Sequence, residues 1–371
     1  MRRKIFIVLI VLFVAQLLFR IYTYRSDYLT PYNAKYWEYR YLHSQWVVKD
    51  SKMPIGDDGV YMYAGWEYIH GRDPTTLNAE LPPFGKYLIG ISEVVFHNQN
   101  IFSLVTGLLA LWVFYLLNTV FFKDKLLAFI PVVLFSFEQL FYEQLRTPML
   151  DSLYLLLLLF LFYFFFRKQF FVSAVFLGLM AATKSSVTTF ALVIFVTIVY
   201  MVFSKQMHFF KRYGISLSAA VLVFLATYAK YFLDGHSLRA FLGVQKYIIT
   251  FYAVGAKGSL ITPWEMILTG KWHTWWGAYI PVDEWHVGWI LLFGLSIYSI
   301  YVMVQLRYRR PLLLLAVWVP IYLVFLSLIP TWPRYLLLVL PFLYNLSIWA
   351  ISKIPNISHI PKLAKVWNKI T

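Results

Sequence analysis

The chain contains no cysteine and little charge. None of its 371 residues is Cys, and only 13% are Asp, Glu, Lys or Arg. The missing thiols exclude disulfides and thiolate chemistry. A soluble domain carries roughly a quarter charged residues, so this composition argues against an ordinary water-soluble protein. Apolar and aromatic side chains take the place of charge, at 60% and 20% of the residues.

The apolar residues are concentrated in runs that approach the roughly 20 residues needed to cross a bilayer. Tyr and Trp are frequent at the ends of these runs, as is typical of membrane interfaces. The sequence predicts an all-α polytopic membrane protein with about ten transmembrane helices (range about 9–11). The expected spans are 5–22, 87–122 with a break near 97–100, 126–142, 148–166, 170–184, 186–204, 214–233, 286–306, 311–329 and 334–351.

The net charge of +16 does not indicate a nucleic-acid partner. Lys and Arg cluster in short segments at alternate loops between the predicted spans, which is the positive-inside pattern. This distribution predicts a multi-pass protein of the cell membrane with both termini cytoplasmic. Membrane lipid, rather than nucleic acid, is the partner that the basic segments indicate.

Two long segments, at about 23–86 and 234–285, then face the outside of a single membrane domain that covers residues 1–371. The first segment holds eight of the chain's 17 acidic residues. We expect interfacial helices there, with an amphipathic one at 61–69 lying along the bilayer. The second segment is rich in Trp.

Several ionisable residues lie at the outer face of this topology, and the positive-inside rule does not explain them. A single charge at a membrane edge could equally be a snorkelling side chain or a structural ion pair. Charges delivered by several separate spans favour a functional site. The residues are Asp57, Asp58, Glu80, Lys86, Glu143, Arg146, Asp151, Lys184 and Arg334.

This cluster combines two kinds of chemistry. The basic residues could neutralise a phosphate, Arg by bidentate contact and Lys as a point charge. The acidic pair Asp57-Asp58 could supply a general base and a second orienting or metal-binding group. Simpler interpretations remain open, because Asp57-Asp58-Gly59 suits an ordinary turn and Lys86 could anchor a span at the headgroups.

Five short motifs along the chain resemble those of the protein O-mannosyltransferase and aminoarabinose transferase families of the C-type glycosyltransferases. In these families the acidic pair is Asp-Glu, and the mannosyltransferases carry a His where this chain has Leu81. The large soluble domain of eukaryotic mannosyltransferases has no counterpart here. The motifs are Asp57-Asp58 with Tyr61, Leu81-Pro82-Pro83-Phe84-Gly85-Lys86, Arg146 with Leu150-Asp151, Gly178-Leu179 with Lys184, and Arg334-Tyr335.

The resemblance implies a C-type glycosyltransferase fold and an inverting transferase. Such an enzyme moves a mannose-like hexose or a pentose from a polyprenyl-phosphate carrier to a hydroxyl of a protein, lipid or glycan acceptor. It implies Asp57 as general base, with Asp58 orienting the acceptor or binding a divalent cation. The candidates for binding the donor phosphate are then Lys86, Arg146, Lys184 and Arg334. The candidate supporting residues are Tyr61, Glu80 and Asp151.

The Trp-rich second loop offers a sugar or acceptor platform at Trp264, His273 and Trp275, although interfacial anchoring explains Trp residues there equally well. Two other functions compete with the transferase. A polymerase or ligase of lipid-linked glycans would not need the early acidic pair. A transporter or flippase would bind its substrate near the midplane, often between inverted repeats, and the sequence shows no repeat.

Overall fold

A computed structural model describes residues 2–255, 259–274 and 276–353 of the chain. Nine α-helices form the first part: α1 (Arg2–Thr23), α2 (Arg25–Leu29), α3 (Ala34–Leu42), α4 (Asp57–Ile69), α5 (Phe84–Val95), α6 (Asn100–Phe121), α7 (Lys125–Phe135), α8 (Gln139–Arg146) and α9 (Leu150–Phe166). Nine follow: α10 (Phe170–Ala181), α11 (Ser186–Phe203), α12 (Phe210–Ala226), α13 (Ala229–Leu233), α14 (Leu238–Gly255), α15 (Thr262–Thr269), α16 (Gly288–Gln305), α17 (Leu313–Ser327) and α18 (Leu340–Lys353).

The only β-structure in the described residues is a small antiparallel hairpin within the second long loop. Strand β1 (Lys271–His273) pairs with β2 (Tyr279–Pro281). Two 3₁₀ turns, at Met207–Phe209 and Pro333–Leu338, precede α12 and α18. The fold is therefore helical as expected, apart from this hairpin.

Five helices of the described part are long and apolar enough to cross a membrane: α1, α6, α11, α12 with its preceding 3₁₀ turn, and α16. Helices α7 and α8 qualify only as a pair, which is bent by 69°. The shorter apolar helices α9, α10 and α17 coincide with three further predicted spans. Length and composition thus support five or six crossings, and the count of about ten stays a prediction.

Helix α9 lies at the centre of the helical core. Apolar residues surround it on all sides, as is typical of a helix that is buried all round, and 13 of its 17 residues are buried. It packs against α6, α10 and the 3₁₀ turn at Pro333–Leu338. Its N-terminus, which begins at Leu150-Asp151, therefore lies among elements from distant parts of the chain.

The predicted break in the second span is present between α5 and α6. His97 has a left-handed backbone with φ 54°, and the Asn98 side chain accepts hydrogen bonds from the amides of Asn100 (2.8 Å) and Ile101 (3.1 Å). The Asn98 amide group in turn donates to the carbonyls of Asp27 and Thr30. This short turn therefore fixes the start of the first long loop.

Helix α4 differs from the expected amphipathic helix at 61–69. It begins earlier, at Asp57, and most of its residues from Gly59 to Tyr68 are buried. Gly65 and Gly90 let α4 and α5 approach closely, because a Cβ at Gly65 would lie 2.5 Å from the Lys86 carbonyl oxygen. The helix is thus packed into the protein, whereas the neighbouring α2 and α3 have no buried residue and remain peripheral.

Candidate active site

The acidic pair occupies the first turn of α4, so it begins a helix and does not form a simple turn. Asp57 and Asp58 are the first two residues of α4, after Gly56 at the N-cap. Carboxylates are stabilised there by the positive end of the helix dipole. The two side chains have different neighbours: Asp58 Oδ1 lies 2.5 Å from where a Cβ of Gly56 would stand, whereas the Asp57 carboxylate contacts another element.

Asp57 contacts Arg334, which lies 277 residues further along the chain. The Arg334 guanidinium donates from Nη2 to Asp57 Oδ2 at 2.5 Å. The Asp57 side chain is 40% exposed, whereas that of Arg334 is 14% exposed. Tyr61, one turn after Asp57 on α4, is buried within electrostatic reach of Arg334. The structure therefore brings Asp57 and Arg334, two of the predicted site residues, into direct contact.

Asp151 joins Arg334 to Lys184. Its carboxylate is almost completely buried at the start of α9, where Oδ2 lies 3.4 Å from Arg334 Nε and Oδ1 accepts a hydrogen bond from Lys184 Nζ. Lys184 lies between α10 and α11, and its ammonium also faces the Tyr335 ring at 4.0 Å. Burial lowers the pKa of Lys184, and Asp151 acts in the opposite direction.

These four residues form one chain of alternating charges, Asp57–Arg334–Asp151–Lys184, which we call the charge relay. Its members come from α4, the 3₁₀ turn before α18, α9 and the α10–α11 loop. Helix α10, which precedes Lys184, packs closely against α12: a Cβ at Gly178 on α10 would lie 2.3 Å from the Ala220 carbonyl oxygen on α12. Two cations and two carboxylates make the charge relay formally neutral.

Lys86 lies in a separate, closed pocket of hydrogen bonds. Its side chain is fully buried, and Nζ donates to the carbonyl oxygens of Asn78 (2.7 Å) and Leu81 (2.9 Å) and to Asn78 Oδ1 (3.1 Å). An ammonium has three N–H donors, so all three are used within the chain. Burial lowers the pKa of Lys86 to about 7, and Glu80 acts in the opposite direction.

The turn around Lys86 nevertheless borders the charge relay. Glu80 is buried and accepts a hydrogen bond from the Asn78 side chain; burial raises its pKa, and Asp57 is among the charges that add to this effect. The amide of Phe84 donates to the Ala182 carbonyl at 2.9 Å, two residues before Lys184. Gly85 packs where a Cβ would lie 2.5 Å from Leu150, as expected from a glycine that permits close passage.

Arg146 belongs to a different cluster. Its guanidinium pairs with Asp27 at 2.9 Å and with Glu143 at 3.4 Å, and it lies 3.9 Å from the centre of the Tyr24 ring. These contacts fasten the end of α8 to the α1–α2 region. The structure therefore brings Arg334 and Lys184 together with Asp57, and it places Arg146 elsewhere.

Two of the three predicted platform residues lie in the described part of the second loop, and each has its own partners. Trp264 on α15 donates from its indole to Ser327 Oγ at 3.0 Å. His273 on β1 pairs with Glu265 and stacks on Tyr279. Trp275 lies outside the described residues. Within the described residues, no group of three or more His, Asp or Glu side chains is placed to hold a metal ion.

Three features of the structure are not predicted from the sequence. Asn78 anchors Lys86 from a left-handed backbone with φ 50°. Trp332 lies under the Arg334 guanidinium, 4.9 Å from ring centre to Cζ, and its place two residues before Arg334 was a signal in the sequence. The third is Glu138 at the start of α8, a fully buried carboxylate that accepts from Trp289 at 3.1 Å and from Tyr344, and lies 3.2 Å from His286.

Two solved structures share this fold. ArnT from Cupriavidus metallidurans bound to undecaprenyl phosphate superposes with a TM-score of 0.65 at 15% sequence identity, over 96% of this chain and 62% of that chain. ArnT in the apo state gives a TM-score of 0.62 at 16% identity, with the same coverage. The chain thus spans less than two thirds of the length of ArnT. No protein-family model and no curated protein sequence matches it.

Proposed function

We propose that this protein is an inverting glycosyltransferase. It transfers a mannose-like hexose or a pentose from a polyprenyl-phosphate carrier to an acceptor hydroxyl on the outer membrane face. The observation that carries the proposal is the charge relay, in which a partly exposed carboxylate contacts one of two cations that share a buried carboxylate. The ArnT structure of similar fold holds undecaprenyl phosphate, which supports a polyprenyl-phosphate lipid as the ligand here.

Asp57 is the general base in this proposal. The acceptor oxygen attacks the anomeric carbon on the side opposite the phosphate, so a new C–O bond forms as the old C–O bond to phosphate breaks. The acceptor proton moves to the Asp57 carboxylate, and the bond electrons leave with the polyprenyl phosphate. Attack from the opposite side inverts the anomeric configuration. The exposure of Asp57 gives the acceptor access from solvent.

Arg334 and Lys184 stabilise the departing phosphate. An Arg side chain has five N–H donors, more than its contacts with Asp57 and Asp151 use. Once Asp57 takes the proton, the formal charge of the charge relay rises from zero to +1. This positive charge develops as the leaving phosphate gains negative charge, and such stabilisation is usually the largest part of catalysis.

Asp151 positions both cations and does not itself contact substrate. It is 2% exposed and lies against Arg334 and Lys184. A buried carboxylate with two cationic neighbours is well compensated, and it holds the two cations at a fixed separation. Glu80 and Tyr61 border this arrangement, and Asp58 remains a candidate for orienting the acceptor or binding a divalent cation from the helix start.

The lipid tail has a candidate groove beside Lys184. The groove, of about 380 Å³, lies between α11, α12 and α14 and is apolar in its lining. It begins at Ser186, two residues after Lys184, and continues along Phe190, Phe224 and Phe241. A polyprenyl chain in this groove would reach Ser186 at the start of α11, two residues from Lys184 in the chain. Burial of isoprene units there provides affinity that does not depend on charge.

Transfer assays with a panel of radiolabelled undecaprenyl-phosphate sugars test the proposal. The wild-type protein should transfer at least one sugar to an acceptor hydroxyl with inversion. Asp57→Asn should lower the rate by about 10²–10⁴-fold, which is the usual contribution of a general base. The control is Asp50→Asn, an exposed residue of the same loop, which should retain full activity. Undiminished transfer by Asp57→Asn contradicts the proposal.

A further inference from the structure

Three indole rings form a continuous aromatic surface beside the charge relay. Trp272 and Trp276 belong to the hairpin, and Trp332 precedes Arg334. The ring centres of Trp272 and Trp332 lie 5.1 Å apart, those of Trp276 and Trp332 5.7 Å, and those of Trp272 and Trp276 5.8 Å. We call these three residues the indole platform. None of them is among the platform residues predicted from the sequence, Trp264, His273 and Trp275.

The hairpin holds the platform through its own local structure. Gly270 ends α15 with a left-handed φ of 68°, and a Cβ there would lie 2.5 Å from the Trp285 ring. Gly277 provides the second left-handed position with φ 87°, in the turn between the strands. Because side chains alternate along a strand, Trp272 faces the core and His273 faces Glu265 and Tyr279.

The platform combines one buried and one exposed indole. Trp272 is 5% exposed, whereas Trp276 is 52% exposed. An interfacial anchor needs a single Trp that projects toward the headgroups. Here the rings contact one another, and Trp332 contacts the Arg334 guanidinium at 4.9 Å. The aromatic surface therefore continues from solvent to the cation that contacts Asp57.

We propose that the indole platform binds a glycosyl ring at the transfer site. This inference rests on the proposed function. One face of a pyranose carries several C–H groups with slight positive charge, which pack on the negative face of an aromatic ring. The position of Trp332 beside Arg334 places that ring next to the donor phosphate and the base. The bound ring belongs to the donor sugar or to a sugar of the acceptor, and the two sources can be separated by experiment.

The first test needs neither donor nor acceptor. Saturation-transfer NMR with a set of methyl glycosides should detect contact with the wild-type protein in a detergent that lacks sugar headgroups. Trp276→Ala should reduce the transferred signal several-fold, because the exposed indole is lost. Trp46→Ala is the matched control, since Trp46 in the first long loop is 40% exposed and lies outside the platform. Absence of glycoside contact in the wild type, or equal signals in all three proteins, overturns the proposal.

The second test compares undecaprenyl phosphate with undecaprenyl-phosphate mannose and glucose. If the platform holds the donor sugar, Trp276→Ala weakens binding of a sugar-bearing lipid by about tenfold and leaves the bare lipid unchanged. If it holds an acceptor sugar, only the KM for a glycosylated acceptor rises by a similar factor. An equal loss for the bare lipid indicates a membrane-anchoring role and overturns the proposal.

The two tests also separate this inference from the proposed function. Glycoside contact that depends on Trp276, in a wild-type protein that fails to bind undecaprenyl phosphate, contradicts the transferase and supports the platform. Binding of undecaprenyl phosphate without glycoside contact supports the carrier lipid and contradicts the platform. Trp332→Phe keeps an aromatic ring beside Arg334 and should retain at least half of the NMR signal.

Discussion

Arg334 and Lys184 differ from Arg146 and Lys86 in the balance of charge around them, although all four were candidates for the same phosphate. Arg334 and Lys184 share one buried carboxylate, Asp151, and Arg334 also pairs with Asp57, so these four groups carry a net charge of zero. Arg146 lies between two carboxylates, Asp27 and Glu143, which leaves a net charge of −1. Lys86 is balanced by Glu80 and has its three donors engaged.

In the proposed mechanism, the number of basic residues therefore does not by itself define the phosphate site. An anion is attracted where positive charge exceeds negative charge and donors remain available. Asp57 completes this arrangement, since it contacts Arg334 from the more exposed side and can lose its charge by accepting a proton. The Lys86 and Arg146 clusters instead resemble structural ion pairs.

Among the four basic residues, the largest effect is expected for Arg334→Gln. This variant removes the cation that contacts both Asp57 and Asp151, so transfer should fall by about 10²–10³-fold, as for other lost electrostatic contacts to a transition state. The measurement is kcat/KM with the donor identified in the sugar panel. Arg309→Gln, which alters an exposed residue, is the control. Equal losses in the two variants would show that Arg334 has no special role.

A smaller effect is expected for Lys184→Met. Loss of this ammonium should weaken binding of undecaprenyl phosphate by about tenfold and lower Tm, because Asp151 then retains a single cationic neighbour. The second substitution Asp151→Asn removes the unbalanced charge, so it should restore Tm and leave lipid binding weak. Recovery of both properties in the double variant would assign Lys184 a purely structural role.

Lys86→Met should affect folding more than ligand binding. The substitution leaves the carbonyls of Asn78 and Leu81 without their donor and leaves Glu80 without its opposite charge. We expect a loss of about 1–3 kcal/mol in unfolding free energy, with an unchanged affinity for undecaprenyl phosphate. Thermal unfolding and lipid titration on the same preparation measure both. Weaker lipid binding at an unchanged Tm would contradict this prediction and would indicate that Lys86 binds the phosphate.

Much of the site could be predicted from the sequence because its charges are out of place in a membrane protein. Asp57, Asp151, Lys184 and Arg334 are costly residues at membrane edges, and their positions in the topology indicated one common face. The break between α5 and α6 and the close packing at Gly85 followed from the turn chemistry of Asn, Pro and Gly.

The remainder depended on packing that no local pattern reveals. The partners of Lys86 are two backbone carbonyls and one side chain from a turn. Every residue has a backbone carbonyl, so the residue types do not indicate which carbonyls bind the ammonium. The sequence pattern predicts an amphipathic helix at 61–69, yet tertiary contacts bury eight of the 13 residues of α4. Pairing of Arg146 with Asp27 required the fold of the first loop, which the sequence pattern does not specify.

The most direct test of this account is a side-by-side titration of undecaprenyl phosphate against Arg334→Gln and Arg146→Gln. Each variant removes one guanidinium, and each residue pairs with two carboxylates. We predict that Arg334→Gln weakens binding by at least about tenfold. Arg146→Gln should leave the affinity unchanged and cost less than about 1 kcal/mol of stability, as is typical of a partly exposed ion pair. Equal weakening in both variants, or a larger loss for Arg146→Gln, would contradict the account.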